Sequence, residues 1–136
     1  MTKIMIISKD RHFSSRLASP LRTMGYRVLI EENFFDGMRE LLWSDVRLII
    51  YEVDYKDPTE LKSCLKMRNR YKKMATIAFL KNQEALQDVE LEADVILSQE
   101  SAAESITTEV EKLIGPPPVF YADDYSMPPS AALDLG

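Results

Sequence analysis

Val46-Arg47-Leu48-Ile49-Ile50-Tyr51-Glu52-Val53 is the stretch whose reading decides the fold class. Its centre, Leu48 to Tyr51, is a continuous apolar run of strand length with no polar alternation. A strand exposed on one face would alternate; one buried on both faces of a sheet would not. A helix start follows, in which Asp57 is the cap, Pro58 takes the first helical position and Glu60 the third. Leu61, Cys64, Leu65, Arg68 and Tyr71 continue at helical spacing. A doubly buried strand that runs into a helix is the half-unit of a parallel sheet.

The same unit recurs on either side. Lys3 to Ser8 is another continuous apolar strand. Asp10 to Met24 carries Phe13, Leu17, Leu21 and Met24 at helical spacing, and Gly25 stands where a helix end favours a left-handed residue. Pro20 falls inside that helix and predicts a bend or two shorter pieces, at a cost near 3 kcal/mol if unrelieved. Tyr26 to Ile30 is a second strand. Asn33 caps a second helix with Asp36 three residues on, and Phe34, Met38, Leu41 and Leu42 form its expected buried side. Beyond the third unit, Thr76 to Leu80 reads as a strand, Gln83 to Leu91 as a short acidic helix and Val95 to Ser98 as a strand. Ser101 with Glu104 opens a last helix that turns Ile106, Val110, Leu113 and Ile114 inward, and Gly115 with three prolines stops it.

Five strand–helix pairs in strict alternation imply a parallel sheet with helices on both faces. The expected fold is flavodoxin-like, (βα)5, doubly wound, with strand order 2-1-3-4-5 and ligands at the carboxyl ends of the strands. Residues 1–115 are expected to form this domain. Residues 116–136 hold five of the seven prolines and few aliphatic residues, and read as a flexible tail or linker.

Composition narrows the function. The chain has 136 residues, 46% hydrophobic and 29% charged, which fits one ordinary globular domain. No apolar run reaches the roughly 20 residues that cross a bilayer, and Lys9, Asp10 and Arg11 close the first apolar run before any cleavage-site pattern. The expectation is a cytoplasmic chain without a leader or a membrane partner. One cysteine, Cys64, excludes an internal disulfide, and with one histidine, His12, it makes a poor zinc set. Cys64 reads as a small buried hydrophobe. A net charge of −5 argues against nucleic acid as a partner. Gly25, Gly37 and Gly115 lie at or within helices, so no glycine-rich loop cradles a phosphate and the strand-end cleft gains no support as a small-ligand site. No cofactor is expected.

Three local patterns carry a resemblance. Lys3 to Ile7, Gly25-Tyr26-Arg27-Val28 and Ala93-Asp94-Val95-Ile96-Leu97, in this order and spacing, resemble the first strand, a helix-to-strand turn and the approach to the fifth strand of bacterial two-component receiver domains. The resemblance covers about residues 1–115. It implies a site in which an acidic pair and an aspartate hold magnesium, the aspartate accepts a phosphoryl group, and a hydroxyl and a lysine steady its oxygens. Cation and ammonium offset the charge that builds there.

This chain departs from that set at nearly every station. The acidic pair falls on Ser8 and Lys9, with Asp10 the nearest carboxylate; the acceptor falls on Glu52; the hydroxyl on Leu80 or Lys81; the lysine on Gln99; and the coupled aromatic on Ile96. No catalytic residue and no metal site is expected. Glu52 reads as a carboxylate tolerated in a solvated cleft, or alternatively as a built-in mimic of a phosphorylated aspartate carrying one charge where phosphate brings about two. Asp54 lies on the same face, and a shift of two residues would make it a phosphoacceptor. Lys9 is either a substitute for the metal ion or an exposed lysine without a fixed partner.

The expected function is a non-catalytic pseudo-receiver, a phosphorylation-independent protein-interaction module in signalling or assembly positioning. The alternative is a degenerate receiver phosphorylated on Asp54 by a histidine kinase. By resemblance, the fourth helix, fifth strand and fifth helix would bind a protein or form a homodimer, with Gln83, Gln87, Ile96 and Gln99 near that surface. Lys62, Lys66 and Arg70, with Arg68, Lys72 and Lys73, form a basic helical stripe that is either a solvated face or a dock for an acidic surface. Phe120 and Tyr121, among the acids Asp123 and Asp124, give the tail the composition of a docking motif.

Overall fold

The computed structural model describes residues 3–53, 59, 62–63, 66–67, 70–71, 74–80, 93–98 and 102–117. Five strands, β1 (Lys3–Ile7), β2 (Arg27–Glu31), β3 (Val46–Val53), β4 (Ala75–Leu80) and β5 (Val95–Ser98), form one parallel sheet in the order β2-β1-β3-β4-β5. This is the expected order. The helices α1 (Arg11–Met24), α2 (Phe34–Leu41) and α3 (Ala102–Ile114) accompany it. Thr59, Lys62, Ser63, Lys66, Met67 and Arg70, between β3 and β4, are also helical. The expected helix over Gln83 to Leu91, the cap at Asp57 and the tail beyond Pro117 lie outside the described residues. Among the described residues no helix is long and apolar enough to cross a membrane.

The central strands are apolar through their middles because each supplies two cores. Ile4, Ile6, Leu48, Ile50, Ile77 and Phe79 point to one face, where Phe13, Leu17 and Leu21 of α1 meet Ile106 and Val110 of α3. Met5, Ile7, Ile49, Tyr51, Val53 and Ala78 point to the other, with Phe34 of α2 and Met67. Strand alternation alone makes this division. Met67 stands outside the helical stripe read from the sequence, yet it is fully buried.

The helix ends follow local chemistry. The Asp10 side chain accepts hydrogen bonds from the backbone N–H groups of His12 and Phe13, capping α1. Gly25, at φ 111°, ends it in the left-handed conformation. Asn33 caps α2 by accepting from the Asp36 N–H at 2.8 Å. Pro20 leaves α1 a single continuous helix. The carbonyl it deprives of a donor belongs to exposed Arg16, where water can replace the lost bond, while Leu17 and Leu21 hold both halves in the core.

Two expectations need correction. The second strand begins at Arg27 and runs to Glu31, one residue later than the pattern suggests. Tyr26 instead buries its ring and donates its hydroxyl to the Gly115 carbonyl at 2.5 Å, tying the end of α3 to the start of β2. Burial, and secondarily Glu111, raises the Tyr26 phenol pKa above its ordinary value. Leu42 does not join the buried side of α2; it is exposed. The buried stripe is Phe34, Gly37, Met38 and Leu41, and position 42 falls roughly 90° around the helix from its centre.

Ser14 sits fully buried in α1, and no described residue hydrogen-bonds its hydroxyl. Ser14→Ala removes an uncompensated polar group and improves helix propensity, so it should stabilise the fold by about 1 kcal/mol. A rise in the urea midpoint at unchanged slope checks this.

Candidate functional site

The carboxyl ends of β1 and β3 flank the point where the strand order reverses, the position at which open α/β sheets bind ligands. A cavity of about 250 Å³ lies there, lined by Ser8, Lys9, Glu32, Asn33, Phe35 and Glu52 among others. Thr59 and Ser63, on the helical segment after β3, close its far side.

Ser8 and Glu52 extend the face that carries Ile4, Ile6, Leu48 and Ile50, so both side chains turn inward. Ser8 is buried, and Glu52 is only 3% exposed. The Ser8 hydroxyl donates to Glu52 Oε1 at 2.9 Å and accepts the Asp10 backbone N–H at 3.0 Å. It also lies 3.4 Å from the Asp10 carbonyl. A hydroxyl has one proton, and the shorter bond to the carboxylate takes it. The reading of Glu52 as a carboxylate in a solvated cleft is therefore corrected. A carboxylate shut away from water costs several kcal/mol unless donors reach it, and Ser8 is one such donor.

The other carboxylates at this edge are engaged too. Asp10 caps α1 through its side chain. Glu32 accepts from Arg11 Nε at 3.0 Å and from a terminal guanidinium nitrogen at 2.5 Å. That hydrogen bond, followed by the charge of Glu32, raises the Arg11 pKa above its ordinary value. Lys9 is exposed and forms no ion pair within 4 Å with a described carboxylate, which favours its reading as an exposed lysine. Among the described residues no three carboxylate, imidazole or thiolate side chains gather as a metal ion requires. A hydroxyl, an ammonium and a buried carboxylate already bonded to that hydroxyl do not match the oxygen-rich, anionic donor set that magnesium takes.

The remaining expected residues divide cleanly. Leu80 is buried at the end of β4, paired in register with Ser98, and presents no hydroxyl. Ile96 is half-buried against the Met5–Tyr51 core. Lys62, Lys66 and Arg70 are exposed, as a stripe requires. Asp54, Lys81, Gln83, Gln87, Gln99, Phe120 and Tyr121 lie outside the described residues.

Solved structures share this architecture. The response regulator TrrA of Thermotoga maritima, in complex with Mg2+-BeF, matches with a TM-score of 0.72 at 17% identity, over 84% of this chain and 100% of that one. The chain has the receiver fold. The receiver domain of the TMAO respiratory regulator TorR matches at 0.70 and 21% identity, over 84% of this chain and 97% of that one. An orphan response regulator of H. pylori matches at 0.66 and 15%, over 82% and 96%. No family model and no curated protein matches the sequence. At such identities the receiver likeness is one of fold.

Sequence reasoning passed over two features of this site. One is the burial of Glu52, which strand alternation had signalled by pairing it with Leu48 and Ile50. The other is Glu31, whose backbone carbonyl accepts the Ser8 N–H at 3.0 Å. Partial burial raises the Glu31 carboxyl pKa, Glu40 and Asp36 raise it further, and Arg39 opposes them.

Two predictions follow from these contacts. Ser8→Ala deprives Glu52 of a donor and should destabilise by about 1–3 kcal/mol. Ser8→Asp should destabilise more at neutral pH, because it sets two carboxylates against each other, and urea unfolding of both variants compares them. For Glu31, the folded chain binds the carboxyl proton more tightly than the unfolded chain. Its contribution is therefore most favourable below the ordinary carboxylate pKa and is lost as pH rises through the raised folded value. Glu31→Gln should raise the melting temperature at neutral pH, with the difference vanishing toward acid pH.

Proposed function

We propose that this receiver-fold domain is a phosphorylation-independent protein-interaction module, serving signalling or the positioning of an assembly. The observation that carries the reading is the buried Ser8–Glu52 hydrogen bond, which occupies the place where the resemblance puts an acidic pair and a phosphoacceptor. Aspartyl phosphate needs a divalent cation and a positive clamp to offset its charge. Here the positions of the cation's ligands hold a hydroxyl and an ammonium, and the position of the clamp is Gln99. Support from the likeness is consistent in kind: one solved match, at a TM-score of 0.63 and 16% identity, is described as an atypical orphan response regulator with a phosphorylation-independent regulatory mechanism.

In this reading residues 1–115 are the module and residues 116–136 a separate segment. The module performs no phosphotransfer of its own. Protein partners engage its helix faces, and a homodimer through the last two units, near Ile96, is the arrangement the resemblance favours.

Incubation of the full chain with a small phosphodonor and magnesium, followed by intact-mass measurement, tests the proposal. The expected result is an unchanged mass. A stoichiometric phosphate adduct that disappears in Asp54→Asn would overturn it and establish the degenerate receiver instead.

A further inference from the structure

A helix packed on a sheet normally turns polar residues outward. α2 does not. Its inner side holds Phe34, Gly37 and Met38, while Phe35 is 72% exposed and the residues just past its end, Leu42 and Trp43, are 60% and 83% exposed. These are the exposed large hydrophobic residues among those described. Phe35, Met38 and Leu42 line a groove of about 240 Å³ with Tyr71, and Arg39 and Arg70 stand in its walls. Each guanidinium lies over an aromatic ring, Arg39 over Phe35 at 5.7 Å and Arg70 over Tyr71 at 5.9 Å. Arg39 also reaches Asp36 at 4.0 Å, a long contact between exposed groups. Lys62 and Lys66, exposed on the segment that carries Arg70, extend the positive rim.

An apolar groove with cationic walls fits an acidic segment rich in aromatic residues. The chain supplies one. Residues 118–136 contain Asp123, Asp124 and Asp134 and no lysine or arginine. Within them Val119, Phe120, Tyr121, Tyr125 and Met127 surround the first two acids.

The path is short. Pro117 lies beside Gly25, its Cβ and Cγ 3.6 Å from where a Gly25 side chain would begin. That contact lies at the start of the edge strand β2. Because β2 runs away from this end and α2 runs back, the Leu42 end of α2 lies at the same end of the sheet. From there the chain reaches the groove by rounding the edge strand β2 and crossing the outward side of α2. Nine extended residues, Val119 to Met127, span roughly 30 Å, against about 12 Å for the eight residues of α2.

We propose that the outward groove of α2 is the docking site of the chain's own segment Val119–Met127. Aromatic side chains fill the space between Phe35, Leu42 and Tyr71, and Asp123 and Asp124 face Arg39 and Arg70. The docked segment covers the outward face of α2, so a partner that binds there must displace it. This goes beyond the interaction-module reading and stands whether or not the domain accepts phosphate.

Trp43 is the chain's single tryptophan; it lines, with Glu31, Asp36, Arg39 and Glu40, the hollow between β2 and α2 that the segment crosses on its way to the groove, so it reports on the docked path. The test is acrylamide quenching and the emission maximum of Trp43 in the full chain. In Phe120→Ser/Tyr121→Ser and in Asp123→Lys/Asp124→Lys, quenching should increase and emission shift to the red, with far-ultraviolet circular dichroism unchanged. High salt should shift the wild type the same way, since it screens exposed charge pairs. Arg39→Glu/Arg70→Glu should also expose Trp43, and combining it with Asp123→Lys/Asp124→Lys should restore protection. Identical quenching in the wild type and both tail variants overturns the proposal. So does protection that grows with protein concentration, which would move the docked segment to a second copy.

Discussion

A carboxylate buried at the end of a central strand is the constraint on which the rest of this site depends. Glu52 follows Ile50 on the same face of β3, and that face is sealed by α1 and α3. Alternation turns its side chain inward, where the residue is only 3% exposed, so the protein must bring donors to it. Ser8 does so from the neighbouring strand, and the same hydroxyl accepts the Asp10 N–H as the chain turns into α1. One side chain thereby ties together two strands and a helix start. A hydroxyl used in this way has its one proton committed to the Glu52 carboxylate.

The sheet was legible in the sequence because its information is redundant. Leu48 to Tyr51 and Ile4 to Ile7 satisfy two cores, and their short length between helix signals marks these apolar runs as strands. Caps at Asp10 and Asn33 were legible for a different reason, since their chemistry is local. The site was harder to read. The identity of Glu52 is a sequence fact, but the group that meets its carboxylate, the Ser8 hydroxyl, lies 44 residues away in the chain. Leu42 shows a second limit. In Leu41-Leu42-Trp43 and Phe34-Phe35, adjacent apolar residues lie about 100° apart on a helix, so one member of each set must face outward. The buried stripe read from the sequence takes Leu41 and Leu42 both inward and leaves Phe35 and Trp43 unassigned, so it misses the surface this creates.

The comparisons make the same distinction between scaffold and chemistry. TrrA and TorR share less than a quarter of their residues with this chain, yet their folds match it over most of its length. What persists at that distance is the apolar spacing that packs five strands between helices. The polar groups at the strand ends add little apolar surface to that packing, so different sets of them suit one fold. A receiver-like architecture is accordingly compatible with Ser8, Lys9 and Glu52 in place of an acidic cluster.

Gly37 has a consequence for how α2 behaves as a body. A Cβ added there would lie 2.7 Å from Cδ1 of Ile7 and 3.3 Å from the sulfur of Met5, so the helix backbone rests against β1 at closer range than any side chain would permit. This contact works as a detent. Rolling α2 far enough to tuck Phe35 beneath it would drag Gly37 off its seat and replace it with a residue too large for the gap. The contact thus favours the rotation of α2 that keeps its greasy outer ridge facing away from the sheet.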